Sequence, residues 1–338
     1  MGVASDFSFL VSPSGRTTAR VDAIHRRSPG LDIYFVVNRD NQPVNVLASF
    51  NITGKVPELW YPGSGRCITD GEFSQDAGRT EVPLQLGPYG SIFVVFRHKL
   101  GMLNPVVTVK LNGDPVQNVE VTEGSGGGLS LYAAVGGKYE LTMASGNVVD
   151  VTIPALPPGF AVHGPWRLAF TPGWGAPAAA TFAHLMSWTD SHQSGIKYFS
   201  GTGTYRRDIE MPRAYIGSGN RVILHLGQVN DMAHVWVNGH DFGVLWHAPF
   251  RVDVTSAIKA GRNVLQIAVT NTWQNRLIGD DQQPSDIKWQ KPSGHPLARF
   301  PSWVIHNAPR PCKNCYTFET WNFYRKASKL HPSGLLGP

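Results

Sequence analysis

Turn-forming residues interrupt this chain at short and regular intervals. Between them lie runs of about four to eight apolar and β-branched residues, and some of these runs alternate with polar residues, as Val44, Val46, Ala48 and Phe50 do. A period of two residues is typical of β-strands, and turns every ~8–12 residues are typical of sandwiches and barrels. The 36 glycines and 25 prolines, together with a charged fraction of only 16%, disfavour a coiled coil. The sequence therefore predicts an all-β protein.

The density of turns and prolines divides the chain into three predicted domains. Residues 1–100 contain long apolar stretches such as Leu31–Asn38 and predict a β-sandwich. Residues 101–156 contain shorter strands between glycine-rich turns and predict a small β module that ends in a proline-rich linker. Residues 157–338 form the third predicted domain.

The third domain has the clearest strand signals. Asn238 and Gly239 form the favoured pair for a type I′ hairpin, because both central residues of that turn need a positive φ. Leu265 and Ile267 alternate with more polar neighbours after a second turn. We expect a jelly-roll sandwich here, followed from about Asp286 by an irregular strap that is rich in aromatic residues.

The charge pattern argues against two classes of partner. The 30 basic and 24 acidic residues give a net charge of +6, but the basic residues are scattered and no nucleic-acid-binding motif accompanies them. The longest strongly apolar run, residues 92–96, is too short to span a membrane. We expect neither nucleic acid nor a membrane as a partner.

The cysteines leave the metal content open. Cys312 and Cys315 form a C-x-x-C pair, which is half of a zinc ribbon, and two free thiols or a small loop disulfide are the alternatives. Cys67 is isolated. We predict no cofactor. Calcium is a common structural ion in jelly-roll domains, but no acidic run here has a recognisable calcium spacing, so a calcium site is left unassigned.

Several motifs of the third domain carry a family resemblance. The pattern V-x-V-N-G-x-x-x-G at residues 235–243, D-V-T at 253–255 and G-x-N-x-L at 261–265 resembles the galactose-binding-like jelly roll of β-galactosidase-type glycoside hydrolases. The segments T-N-T-W-Q-N-R-L-I-G-D at 270–280 and S-G-L-L-G-P at 333–338 resemble the C-terminal part of family 106 α-L-rhamnosidases. Residues 24–27, 33–38 and 88–96 are similar to the segment that follows the catalytic barrel in that family, so the resemblance covers nearly the whole chain.

The resemblance implies a non-catalytic part of a larger enzyme. The chemistry of that family takes place in an (α/β)-barrel that precedes these segments, and a barrel needs roughly 250 residues of alternating strands and helices, a pattern that is absent from this sequence. No catalytic residue of that family can therefore be matched to a position in this sequence. The implied role is to bind carbohydrate or brace the barrel of a rhamnosidase-like enzyme acting on plant or microbial polysaccharide, with a rhamnose-containing oligosaccharide as ligand and the barrel as partner.

Sugar binding needs flat apolar rings for the C–H faces of the sugar and planar polar groups for its hydroxyls. Aromatic and polar residues of both kinds are concentrated between residues 188 and 280. The predicted carbohydrate-binding residues are Trp188, Asp190, Tyr198, Trp246, Trp273, Asn275, Arg276 and Asp280. The alternative interpretation is that Trp188, Tyr198 and Trp273 pack in the core and that Arg276 pairs with Asp280 to hold a loop.

The sequence is also compatible with two other functions. Glycoside hydrolysis generally uses two carboxyl groups, so the chain could be a hydrolase with a cleft around Trp188, Asp190, Trp273 and Asp280, in which Asp190 and Asp280 are the candidate catalytic carboxylates. It could also be a β-sandwich that binds a protein partner. The N-terminus has no signal-peptide pattern, so localisation is not predicted; a part of a longer enzyme of this kind would be exported or periplasmic.

Overall fold

The computed structural model describes residues 5–11, 19–117, 119–124, 127–217, 219–291 and 294–337. Strands make up most of the regular structure of these residues, and their longest helix has 7 residues, which confirms the all-β prediction. The chain divides into two compact units, residues 1–158 and residues 159–338, and each is described by itself. In the described ranges no helix is long and apolar enough to cross a membrane.

Short antiparallel strands build the first unit. They form a sheet of order β1-β4-β8-β7, a sheet of order β2-β3-β9-β5-β6, a smaller sheet of order β11-β10-β14-β15 and the pair β12-β13. The strands are β1 (Phe7–Val11), β2 (Val21–Ser28), β3 (Leu31–Asn38), β4 (Val44–Phe50), β5 (Lys55–Tyr61), β6 (Arg66–Thr69), β7 (Ser74–Asp76), β8 (Arg79–Leu86), β9 (Ser91–Lys99), β10 (Val106–Leu111), β11 (Asp114–Pro115), β12 (Val119–Glu123), β13 (Leu129–Ala133), β14 (Gly137–Met143) and β15 (Val148–Ile153).

Alternating residues of the first two sheets form one hydrophobic core. Val46 and Ala48 of β4 belong to the same buried cluster as Tyr34 of β3 and Val94 of β9. Successive side chains of a strand point to opposite faces, so one apolar residue in every two is enough to build this core. The alternation seen in the sequence therefore produces the predicted sandwich.

A second, smaller core lies among β10 to β15. Its buried members are Val106, Val109, Val121, Tyr139 and Leu141, and all are at most 6% exposed. The strands predicted between residues 101 and 156 are present. The chain divides into compact units at one position, after Pro158, so these strands belong to the first unit. The domain boundaries after residues 100 and 156 stay predictions.

The second unit contains a six-stranded sheet of order β17-β16-β18-β23-β20-β21 and a three-stranded sheet of order β22-β19-β24. Two 3-10 turns, at Trp188–Asp190 and Arg213–Tyr215, interrupt its connections. The strands are β16 (Trp166–Phe170), β17 (Ala179–Phe182), β18 (Thr202–Met211), β19 (Ile223–Asn230), β20 (Met232–Val237), β21 (His240–Leu245), β22 (Phe250–Asp253), β23 (Gly261–Thr270) and β24 (Gly334–Gly337), and the helices are α1 (Ser194–Lys197), α2 (Gln274–Asp280) and α3 (Ser302–Ile305).

The predicted hairpin between β20 and β21 is confirmed. Asn238 has a φ of 53° and Gly239 a φ of 83°, so both turn residues have the positive φ that a type I′ turn requires. This turn sets the register in which Val237 lies opposite His240. The inward side chains of the six-stranded sheet then fill a core rich in large aromatic rings.

The last strand, β24, packs against this core. It pairs with β19, and the Leu335 amide donates a hydrogen bond to the Tyr205 hydroxyl at 3.1 Å. The Trp188 indole donates to the same hydroxyl at 2.7 Å. Gly334 has a φ of 98° and lies directly against both rings. Pro338 lies outside the described residues.

Replacing Gly334 by alanine should strongly destabilise the second unit. The new methyl group would lie 2.6 Å from the Trp188 Nε1 atom and 2.7 Å from the Tyr205 hydroxyl, and the positive φ adds backbone strain. We expect the free energy of unfolding to fall by about 3 kcal/mol in urea titrations. Gly173→Ala is the matched control, because that glycine also has a positive φ but an open environment, and should lose only about 1 kcal/mol. Equal losses would contradict this account of the last strand.

Candidate functional site

An open cleft of about 500 Å³ lies in the second unit, beside the first turn of α2. Three separate segments of the chain contribute to it: the β19–β20 connection, the end of β23 with the start of α2, and the C-terminal segment. Its lining residues are Asp231, Thr272, Trp273, Gln274, Leu277, Tyr324 and His331.

A carboxylate and an imidazole face each other in the cleft. The Asp231 Oδ1 atom lies 3.1 Å from Nε2 of His331, and the Thr272 amide donates to Asp231 Oδ2 at 3.1 Å. The two side chains remain 33% and 41% exposed, respectively. They are therefore held in one orientation and are still open to a ligand.

Trp273 provides the aromatic surface of the cleft. It precedes the first residue of α2 and is 54% exposed. Its ring packs edge-on against Trp174, with the ring centroids 5.0 Å apart. This contact orients the Trp273 ring while much of it stays accessible.

Asn275 positions His331. The Asn275 side chain is buried, and its amide donates to the His331 carbonyl at 2.6 Å while its oxygen accepts from the His331 amide at 2.8 Å. The same amide donates to the Ser333 hydroxyl at 2.9 Å. Asn275 was predicted to bind sugar directly, but these contacts occupy both ends of its side chain. Its role in the site is to hold the histidine.

Arg276 and Asp280 form a buried ion pair on α2. The Arg276 Nε atom donates to Asp280 Oδ1 at 2.8 Å, and both side chains are less than a tenth exposed. Asp280 Oδ2 accepts three hydrogen bonds of 2.7 Å, from the Tyr316 and Thr317 amides and from the Thr317 hydroxyl. Both residues lie on the short helix α2, whose contacts hold the neighbouring strap.

This ion pair also argues against a catalytic role for Asp280. Each of its oxygens is already engaged, and the residue does not line the cleft. The Arg276 guanidinium stacks over the Tyr316 ring at 4.9 Å, so its planar face is covered too. The alternative interpretation, in which Arg276 pairs with Asp280 to hold a loop, fits the structure, and the loop they hold is the part of the strap at Tyr316 and Thr317.

The other predicted binding residues lie away from the cleft. Trp188 is 0% exposed and packs edge-on against Phe170 and Phe199, so it has no ring face for a sugar and we leave it out of the site. Asp190 is exposed at the end of a 3-10 turn, outside the lining. Tyr198 is partly buried beside Gly279. Trp246 is 58% exposed and packs against His247, again outside the lining.

Of the eight residues predicted from sequence, Trp273 alone is among the described residues that line this cleft. Asp231 and His331 were missed because they are 100 positions apart, and no local pattern joins them. The one local signal was the carboxylate of Asp231 at the junction of two strands, a position where a charged residue has no packing role.

Nothing in the described residues indicates a metal site, since no group of three or more metal-ligating side chains is found there. Cys312 and Cys315 form a disulfide, which resolves the alternatives left by the sequence and removes both sulfurs from zinc binding. Cys67 is a free, exposed thiol.

Family models match two parts of the chain. Residues 1–70 match alpha-L-rhamnosidase (glycoside hydrolase family 106), and residues 159–294 match the sugar-binding domain of glycosyl hydrolases family 2. The structure of a rhamnosidase from Novosphingobium sp. PP1Y aligns with 99% of this chain, with a TM-score of 0.70 and 31% identity, and the match covers 24% of that protein. These findings confirm the resemblance to a rhamnosidase-like, non-barrel part of a glycoside hydrolase.

Two curated relatives match shorter stretches. A protein of Formosa agariphila assigned as a β-glucuronidase is 38% identical over 194 residues, which is 57% of this chain and 16% of that protein. The β-glucuronidase of Chlorocebus aethiops is 27% identical over 100 residues, which is 28% of this chain and 15% of that protein. The chain thus spans less than a quarter of the length of each of these relatives and of the rhamnosidase.

The strap beside α2 should make the stability of the second unit depend on pH. Burial, with the nearby charges of Asp281 and Asp280, raises the pKa of Glu319 from 4.5 to about 7. The folded protein therefore holds this proton to a higher pH than the unfolded chain does, and the free energy of unfolding falls as pH rises from about 4.5 to about 7.

We expect Glu319→Gln to remove this fall. After allowance for the partial exposure of Glu319, the wild-type protein should lose about 1 kcal/mol more than the variant between about pH 5 and pH 8. Urea unfolding at several pH values measures the difference. Glu210→Gln removes the same charge from an exposed position of β18 and serves as the control. Parallel pH curves for the wild type and Glu319→Gln would show that the carboxyl is not held neutral.

Proposed function

We propose that the second unit binds carbohydrate in the cleft beside Trp273 and acts as an accessory part of a rhamnosidase-like glycoside hydrolase whose catalytic barrel is separate. One observation carries the proposal: an exposed indole ring stands beside a carboxylate and an imidazole that hydrogen bonds hold in a fixed orientation. The match of residues 159–294 to a sugar-binding domain supports it.

The lining provides the two kinds of contact that a sugar needs. The Trp273 ring offers an apolar face for the C–H groups of a pyranose, while Asp231 accepts hydrogen bonds from hydroxyl groups and Gln274 can both donate and accept. The volume of about 500 Å³ is within the range of small-molecule sites.

We propose a rhamnose-containing oligosaccharide as the ligand. Rhamnose carries a methyl group where most hexoses carry a hydroxymethyl group, and a methyl group needs an apolar contact. Leu277 supplies such a contact in the same lining as Trp273. The match of residues 1–70 to alpha-L-rhamnosidase supports this choice.

The geometry does not favour hydrolysis by this unit alone. Among the described lining residues Asp231 is the one carboxylate, whereas the usual mechanisms use two. Asp280 is fully engaged in hydrogen bonds, and Asp190 lies elsewhere. We therefore assign binding, and not bond cleavage, to the cleft.

A bracing role is a second candidate function, favoured by the strap. Four of its aromatic side chains are exposed and pack in two pairs, which is more apolar surface than a solvent-facing strap requires. They are Phe300, Phe318, Trp321 and Phe323. A catalytic barrel that covers this surface is the partner we propose.

Removing the Trp273 ring should weaken sugar binding. We expect Trp273→Ala to lower the affinity for rhamnose-containing oligosaccharides by about tenfold or more in calorimetric titrations, because the stacking surface is lost. Trp246→Ala is a matched control, since Trp246 is 58% exposed against 54% for Trp273 but lies outside the cleft. Equal affinity for both variants, or no binding by the wild type, would contradict the proposal.

A further inference from the structure

One row of side chains crosses the whole solvent-facing side of the six-stranded sheet. Each member lies opposite the next in the strand register, and their neighbours along each strand point into the core. In the spatial order of the strands, this sheet row consists of Thr181, Arg167, Arg206, Gln266, Trp236 and Asp241.

Two arginines lie directly opposite each other in the sheet row. Arg167 of β16 pairs with Arg206 of β18, and both are exposed. Side chains at such positions are about 5 Å apart at Cβ, where like charges destabilise a sheet. Neither guanidinium has an ion pair or hydrogen bond with any described residue. The nearby Asp208 already forms an ion pair with Arg262, whose Nη2 atom donates to Asp208 Oδ2 at 2.8 Å. An anionic ligand would relieve this repulsion.

The other end of the sheet row is aromatic and rigid. The Trp236 ring stacks on His234 with centroids 3.7 Å apart, and Asp241 Oδ1 accepts from His234 Nε2 at 2.6 Å and from the Gly243 amide at 2.7 Å. Trp236 is only partly buried. A fixed indole is thus available on the same face as the two arginines, with the Gln266 amide between them.

The side chains of the neighbouring row on three of the strands are small, which leaves room for a ligand. Ala169, Thr204 and Ala268 lie opposite one another on the strands that carry Arg167, Arg206 and Gln266, one step nearer the cleft. Alanine and threonine side chains are much shorter than arginine and tryptophan. A shallow trough therefore runs beside the sheet row across β16, β18 and β23, and it ends at His234 of β20, which lies opposite Ala268.

We propose that the sheet row binds an acidic polysaccharide, with Arg167 and Arg206 contacting its carboxylate or sulfate groups and Trp236 contacting a sugar ring. Guanidinium groups bind such oxyanions through paired hydrogen bonds. Sugar hydroxyls can donate to Gln266 and Asp241, whereas the phosphates of a nucleic acid backbone offer Asp241 no donor. The row therefore suits a glycan better than it suits a nucleic acid.

This site is distinct from the cleft. Gln266 and Thr270 are four residues apart on β23, which is about 13 Å along a strand, and the cleft begins beyond Thr270. The sheet row and the cleft share only the class of ligand, a carbohydrate. Loss of one site should therefore leave the other intact.

The test compares two double variants that change the net charge equally. Arg167→Gln with Arg206→Gln removes the pair, and Arg20→Gln with Arg39→Gln removes two exposed arginines of the first unit that are paired with Asp40 and Asp22. The probes for calorimetric titration are an oligogalacturonide, a sulfated galactan fragment, a neutral dextran fragment and a single-stranded DNA oligonucleotide.

We expect the wild type to bind at least one acidic glycan, and to bind it about tenfold or more tightly than the dextran and the DNA. The sheet-row variant should lose this affinity while keeping or raising its melting temperature, because a like-charge pair is removed. The control variant should bind as the wild type does. The oligogalacturonide and the sulfated galactan tell carboxylate from sulfate recognition.

Several results would overturn the proposal. They are no binding of either acidic glycan by the wild type, equal losses in both double variants, and equal affinity for DNA. Trp273→Ala separates this proposal from the proposed function, since it should weaken binding of a rhamnose-containing oligosaccharide and leave the acidic glycan unaffected. A loss of acidic glycan binding in Trp273→Ala would contradict a separate site.

Discussion

The buried hydroxyl of Ser333 holds the C-terminal segment of the second unit in place. It accepts hydrogen bonds of 2.9 Å from the side-chain amides of both Asn271 and Asn275. The Ser333 backbone amide donates to the Ser187 hydroxyl at 3.0 Å. Buried polar groups are costly unless they are paired, so such a network permits one arrangement of the chain. That arrangement places β24 in its sheet and His331 in the cleft.

The same sheet supports both binding surfaces that we propose. β23 presents Gln266 on its solvent-facing side and, beyond its last residue, leads into Trp273 and α2. Side chains anchored on strands keep their spacing better than side chains on long loops. A single rigid element therefore orients the sheet row and one wall of the cleft, which suits the binding of an extended, weakly apolar ligand such as a polysaccharide.

Local features were predictable from the sequence and distant contacts were not. The alternation in β4 and the Asn238-Gly239 hairpin depend on neighbouring residues, and both appear as expected. The helix α2 was missed because it is short, contains Gly279 and has no side-chain cap. Trp188 and Trp273 look alike in the sequence, yet one is 0% and the other 54% exposed, because burial is decided by strands far away in the chain.

The indole N–H signals of the tryptophans test the central claim, that the cleft beside Trp273 binds sugar, most directly. These signals can be followed by nuclear magnetic resonance while a rhamnose-containing oligosaccharide is titrated into the protein. We predict that the Trp273 signal moves in a saturable way and that the signal of the buried Trp188 does not. Movement of the Trp246 signal alone, or no movement of the Trp273 signal, would contradict the account.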